Sequence, residues 1–186
     1  MPFGSLWLPV VLSAVAVFLV SSLVHMALRY HRADYRKLAD EEPVAAALRK
    51  IAPAPGLYFI PHCTDMAQMK EPAMVKRFEE GPVGLLTIRP NGMPGMGKSL
   101  AQWFLFSVFV SFVVAYVARH TLQPGSPGLE VMRITGSVAF AAYAMGYVQD
   151  SIWKSIPWSN SLRGILDACF YALATGLVFR CFWPAA

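Results

Sequence analysis

The stretch GMPGMGKSLAQWFLFSVFVSFVVAYVA, residues 92–118, admits two incompatible folds. Gly92, Gly97, Lys98 and Ser99 stand in the G-x-x-x-x-G-K-S spacing of a nucleotide phosphate loop, and the strand-like VGLLTIRP precedes them. A working phosphate loop needs a parallel sheet, a helix packed on that sheet and a metal-holding Asp after another hydrophobic strand. Ser99 leads instead into a run without Asp, Glu, Lys or Arg, residues 100–118, whose surface belongs in lipid. The glycines and prolines then make a tight turn back into the membrane, with Lys98 and Trp103 as interfacial anchors. No nucleotide is expected there.

The lipid reading extends outward to the whole chain. Of 186 residues, 56% are hydrophobic and 15% are charged, whereas a soluble domain carries about 25% charged residues. Residues 6–28, LWLPVVLSAVAVFLVSSLVHMAL, hold no acid, Lys or Arg and are long enough to cross a hydrocarbon core of about 30 Å. This run lacks a basic leader and a small-x-small cleavage site, so it reads as a retained transmembrane helix rather than a secretory signal. Residues 131–147 are interrupted only by Arg133, and residues 162–183 contain Asp167 and Arg180. The expected fold is an all-α membrane protein with a bundle of four transmembrane helices: residues 1–28 (extending to about 38), 100–118, 131–150 and 162–183. A small α+β cap, residues 29–99, separates the first two.

Lys and Arg set the expected orientation. Eleven fall in residues 29–99 and two more, Lys154 and Arg163, beside the link between the third and fourth helices; Arg119, Arg133 and Arg180 lie on the other side. The asymmetry puts the long loop in the cytoplasm and both termini in the periplasm of a bacterial inner membrane. The net charge of +5 then reflects topology and lipid headgroups, and no nucleic-acid partner is expected. Cys63, Cys169 and Cys181 have no paired spacing, so no disulfide or zinc framework is expected.

Within the cap, DEEPVAAALRKI and EPAMVKRFEEG each place acids and a proline at the start and bases further on, which predicts two short helices. GLYFI and GLLTI read as short strands. The stretch IPHCTDMAQMKEPAM offers His62, Cys63, Met66 and Met69 as weak soft-metal candidates. The methionines more simply fill gaps beneath a helix, and no metal or other cofactor is expected. His31 and His120 read as headgroup contacts.

Charged residues inside membrane helices are costly, so each is a functional candidate. Asp167 is the foremost, and the topology brings Asp150 and His25 to the same cytoplasmic level. A carboxylate dyad or a proton or ion site could be built from these three. The plainer alternative pairs Asp167 with Lys98 or Arg163. Gly164, Ala168, Ala172 and Gly176 make a small-residue seam on the last helix, with Ala142 and Gly146 as its expected counterpart. Trp103, Trp153 and Trp158 fall near helix ends, where tryptophans collect at the interface, and Lys154 and Arg163 are placed to meet lipid phosphates.

Three stretches carry a resemblance: VVLSAVAVFLVSSLVHM, RPNGMPGMGKSLAQWF, and SIWKSIPWSNSLRGILDACFYALATG with the closing FWP. Through them the chain resembles a family of small four-helix bacterial inner-membrane proteins without an assigned activity. That resemblance spans the full length and implies the membrane class, and it transfers no catalytic residue. The expected function is a non-enzymatic accessory, assembly or structural component, in contact with the lipid bilayer and with itself or a larger membrane complex. The alternative is a membrane-embedded enzyme or an ion, proton or small-molecule carrier using His25, Asp150 and Asp167.

Overall fold

The computed structural model describes residues 3–186. In chain order its elements are α1 (Trp7–Ala27), α2 (Glu42–Ile51), β1 (Gly56–Ile60), α3 (Pro72–Glu80), β2 (Gly84–Ile88), α4 (Met96–Thr121), α5 (Gly128–Lys154) and α6 (Trp158–Cys181). They divide into two units: the described residues up to Arg36 with Gly95–Ala186, and Lys37–Pro94.

The first unit contains α1, α4, α5 and α6 and is built inside out relative to a water-soluble bundle. Its buried positions carry Ser13, Ala14 and Ser21 on α1, Ser107, Ser111, Ala115 and Ala118 on α4, and Ala168, Ala172 and Thr175 on α6. Leu19 and Leu23, Leu105 and Phe109, and Leu166, Leu173 and Leu177 face outward. In water such continuous apolar faces drive aggregation, whereas in lipid they cost nothing and small inward residues let the backbones approach. Gly4–Ala27, Met96–Thr121 and Trp158–Cys181 are each long and apolar enough to cross a membrane, so the chain is membrane-embedded.

Among the described residues three helices meet that criterion rather than the expected four. α5 is the exception despite its 27 residues, because Arg133, Thr135, Gly136, Ser137, Tyr143, Gly146 and Tyr147 dilute its hydropathy. It nevertheless makes the most extensive helix pair in the unit, with α6. A Cβ added at Gly164 would lie 2.5 Å from the Tyr147 ring, and one at Gly176 would lie 3.1 Å from Met132. The α6 seam is therefore where the sequence puts it, and its Gly164, Ala168, Ala172 and Gly176 are all buried. The α5 counterpart differs: Met132, Gly136 and Tyr147 face α6, while Ala142 and Gly146 are exposed and open space surrounds Gly146. Small residues line two faces of α5, and spacing alone does not say which one packs.

α1 stops at Ala27, where Leu28 turns extended, and the chain continues as a 3₁₀ turn, Tyr30–Asp34, instead of a helix reaching about residue 38. That break directs Tyr30, His31 and Asp34 back toward α6.

In the second unit, α2 has Glu42 and Pro43 in its first turn, Arg49 and Lys50 in its last, and Ala52 in the left-handed conformation as its stop. Arg49 pairs with Glu42 across this helix. α3 ends where Gly81 adopts φ +66°. β1 and β2 form an antiparallel pair with Gly56 opposite Ile88 and Ile60 opposite Gly84. This two-stranded antiparallel sheet cannot supply the parallel sheet of a phosphate-binding fold. An open apolar groove of about 450 Å³ runs between Val44, Ala47 and Leu48 of α2 and Ile60, Val83 and Leu85 at the strands.

Candidate functional site

Asp167 sits on the buried face of α6 at 1% exposure. A lone carboxylate there would face a desolvation cost of several kcal/mol, so it must find donors. Two come from the 3₁₀ turn after α1: the Tyr30 hydroxyl donates to its Oδ1, and His31 Nε2 lies 2.8 Å from its Oδ2. His25, in the last turn of α1, brings its Nε2 to 3.9 Å from the same Oδ2. The His25 and His31 rings stack, with centroids 4.6 Å apart and planes within 6°.

Both imidazoles are fixed from behind. His25 Nδ1 donates to the Ser21 carbonyl at 3.0 Å, since a carbonyl can only accept. His31 Nδ1 donates to Asp34 Oδ2 at 2.6 Å. Arg163 Nε donates to Asp34 Oδ1 at 2.6 Å, and its Nη2 donates to Asn160 Oδ1 at 3.0 Å. Asn160 completes the ring by donating Nδ2 to the Asp34 carbonyl at 2.9 Å. Burial by itself pushes the Asp34 carboxyl up, but the hydrogen bonds and positive charges of His31 and Arg163 outweigh it and hold the group below the ordinary carboxylate range. Burial, then the hydrogen bond and negative charge of Asp167, push the Tyr30 phenol far above its ordinary value, so it remains a donor.

Several expected residues stand elsewhere. Asp150 pairs with Lys154 at 2.7 Å on the last turn of α5, both half-exposed, and so has its own cation. Arg163 serves Asp34 in place of Asp167 or a lipid phosphate. Lys98 is exposed in the first turn of α4. Trp103 is no outward anchor: its Nε1 donates to Ser21 Oγ at 2.9 Å, and its ring packs between Tyr143 and Tyr171, 5.9 and 5.7 Å away. An indole placed about two turns inside the helix reaches the bundle's aromatic centre. Trp153 and Trp158 are exposed.

The soft-metal stretch does not converge. Cys63 donates its thiol to the Asp65 carbonyl, and Met66 and Met69 are exposed instead of filling gaps; only Met74 is buried. All three cysteines are free. Among the described residues, the His, Cys, Asp and Glu side chains grouped closely enough to share an ion are His25, His31 and Asp167. His120 stacks edge-on against Tyr116.

Sequence reasoning found Asp167, His25 and Arg163, missed Tyr30, Asp34 and Asn160, and read His31 as a headgroup contact, whereas it bridges Asp34 and Asp167. The available signal was Asp34, the one acid in the basic RYHRADYRK stretch, three residues after His31. No family model, curated protein or solved structure matches this chain.

Proposed function

We propose that the chain is a non-enzymatic component of a bacterial inner membrane that crosses it four times, and that the Asp167 cluster latches residues 28–36 onto α6. The observation that carries this reading is electrical closure. Asp34 faces His31 and Arg163, and Asp167 faces His31 and Tyr30. A catalytic acid or an ion carrier needs a carboxylate free to exchange partners, and both carboxylates here are engaged. The enzyme or carrier alternative using His25, Asp150 and Asp167 loses support because Asp150 is committed to Lys154.

Connectivity supports the fourth crossing. Gly125 N donates to the Pro184 carbonyl and Trp183 Nε1 to the Gln123 carbonyl, so α4 and α6 end side by side. α5 joins the end of α4 to the start of α6 through links 122–127 and 155–157. With 27 residues it is about 40 Å long, enough to return through the bilayer with Arg133 near one boundary. The excess of Lys and Arg in residues 29–99 then orients the cluster toward the cytoplasm and the termini toward the periplasm.

The accessory role draws support from the outward face of α5. Ala142 and Gly146, one turn apart, are exposed on it, a surface suited to close approach by a transmembrane helix of another subunit. Native mass spectrometry after gentle extraction tests this role. A stoichiometric protein partner or a homo-oligomer is expected; a monomer carrying a turnover substrate would overturn it. Asp167→Ala, which removes the acceptor of Tyr30 and His31, is expected to change protein level or assembly and leave no catalytic rate to lose.

A further inference from the structure

We infer that His25, His31 and Asp167 form a binding site for a divalent transition-metal cation of the zinc class. Three observations converge on it: the proximity of three ligand atoms, the second layer of hydrogen bonds, and ligand chemistry.

Proximity comes first. Each histidine spends its Nδ1–H on an acceptor behind it, Ser21 O for His25 and the doubly engaged Asp34 carboxylate for His31. When the Nε2 proton that His31 donates to Asp167 is displaced, both Nε2 atoms offer lone pairs, at 2.8 and 3.9 Å from Asp167 Oδ2. That 2.8 Å contact holds a proton in the latch, and a metal ion would take the proton's place. The three ligand atoms lie within 4.8 Å of one another. Around a tetrahedral metal with bonds of about 2.1 Å, ligand atoms sit about 3.4 Å apart. The 2.8 Å and 3.9 Å separations bracket that value, so each adjusts by roughly half an ångström. His25 is half-exposed at the end of α1 and has room to turn out of its stack on His31, as shared coordination requires, and the same exposure leaves a coordination position open to water.

The second layer is already assembled. Metal-binding histidines characteristically donate their other N–H to a carboxylate or backbone carbonyl, and metal-binding carboxylates are themselves hydrogen-bonded. Here Asp34 backs His31, the Ser21 carbonyl backs His25, and the Tyr30 hydroxyl holds the other oxygen of Asp167. Arg163 neutralises Asp34, and Asp167 is the carboxylate that faces both Nε2 atoms.

Two imidazoles and one carboxylate suit Zn²⁺, Co²⁺, Ni²⁺ or Fe²⁺ better than Ca²⁺ or Mg²⁺, which favour all-oxygen shells. Metal binding and the latch are separable. His25→Ala removes a ligand but leaves the bonds of Asp167 to Tyr30 and His31.

The test uses the full chain in detergent, stripped with chelator and titrated with Co²⁺, with competition by Zn²⁺. One equivalent is expected to bind with the intense visible bands of a four- or five-coordinate complex. His25→Ala and His31→Ala should each weaken binding by at least 100-fold, and Asp34→Asn by 10- to 100-fold. His62→Ala and Cys63→Ser should leave it unchanged. X-ray absorption of the wild-type complex, which needs no variant to fold, should show two imidazole ligands. Failure to bind Co²⁺, binding that survives His25→Ala, or a spectrum without imidazole would overturn the site. Normal protection of residues 28–36 in His25→Ala, with metal binding lost, would leave the latch standing.

Discussion

Replacing Asp167 with Ala removes the acceptor that holds Tyr30 and His31. Hydrogen bonds to a charged group contribute about 1.5–3 kcal/mol each. Tyr30 and His31 are only partly buried, so the lower end applies, and two bonds sum to about 3 kcal/mol. At about 1.4 kcal/mol per decade, the population with residues 28–36 detached should rise by about 100-fold. Arg29, Arg32 and Arg36 lie in that segment and are exposed, so trypsin reports detachment directly when opening is fast relative to cleavage. Cleavage at these sites, normalised to Arg49 and Lys50 in the second unit, should rise by about the same factor. Asp167→Asn keeps one acceptor and one donor at the site and should recover most of the protection, leaving an effect of about 1 kcal/mol, roughly fivefold. Cleavage that stays within twofold of wild type in Asp167→Ala would refute the latch.

The same geometry makes further outcomes measurable. Gly164→Ala drives a Cβ into the Tyr147 ring and should cost about 1–3 kcal/mol in detergent thermal unfolding, whereas Gly146→Ala meets open space and should be neutral or stabilising by up to about 1 kcal/mol; equal stabilities would remove the α5–α6 contact. The Asp34 carboxyl is held low, so its contribution is present above the ordinary carboxylate value of about 4 and is lost as pH falls through the lowered one. The Tyr30 phenol is held high, so its contribution is present below about pH 10 and is lost as pH rises through the raised value. Amide exchange of residues 29–36, corrected for intrinsic rates, should accelerate at both extremes, and protection that persists at about pH 2 would exclude Asp34. Magnesium ATP should not shift the melting temperature of wild type or Lys98→Ala; a shift confined to wild type would restore the phosphate loop.

The parts legible in sequence are those that one physical term dominates. The runs that became α1, α4 and α6 are apolar enough that no soluble alternative competes, and the proline, acid and base placement around Pro43 and Pro72 determines α2 and α3 locally. Asp167 was legible because a charge inside an apolar helix needs a reason. Its partners were not, because RYHRADYRK satisfies two environments at once. As a helix it would carry Arg29, Arg32 and Arg36 to the headgroups. Broken at Leu28, it still exposes those arginines while turning Tyr30, His31 and Asp34 inward. The choice depends on a buried carboxylate 137 residues beyond Tyr30, out of reach of any local pattern. Trp103 illustrates the same limit: indoles near helix ends favour the interface on average, but an inward Ser21 hydroxyl and two tyrosine rings decided its place.

Four crossings with the cluster on the cytoplasmic side can be tested by single-cysteine labelling in intact cells, with Cys63, Cys169 and Cys181 replaced by Ser. Gln123→Cys reports the link between α4 and α5, and Ser159→Cys reports the start of α6; both side chains are exposed. With a membrane-impermeant maleimide, residue 123 should label in intact cells and residue 159 only after permeabilisation. Labelling of both positions from the same side would mean that α5 does not cross and would contradict the four-helix topology.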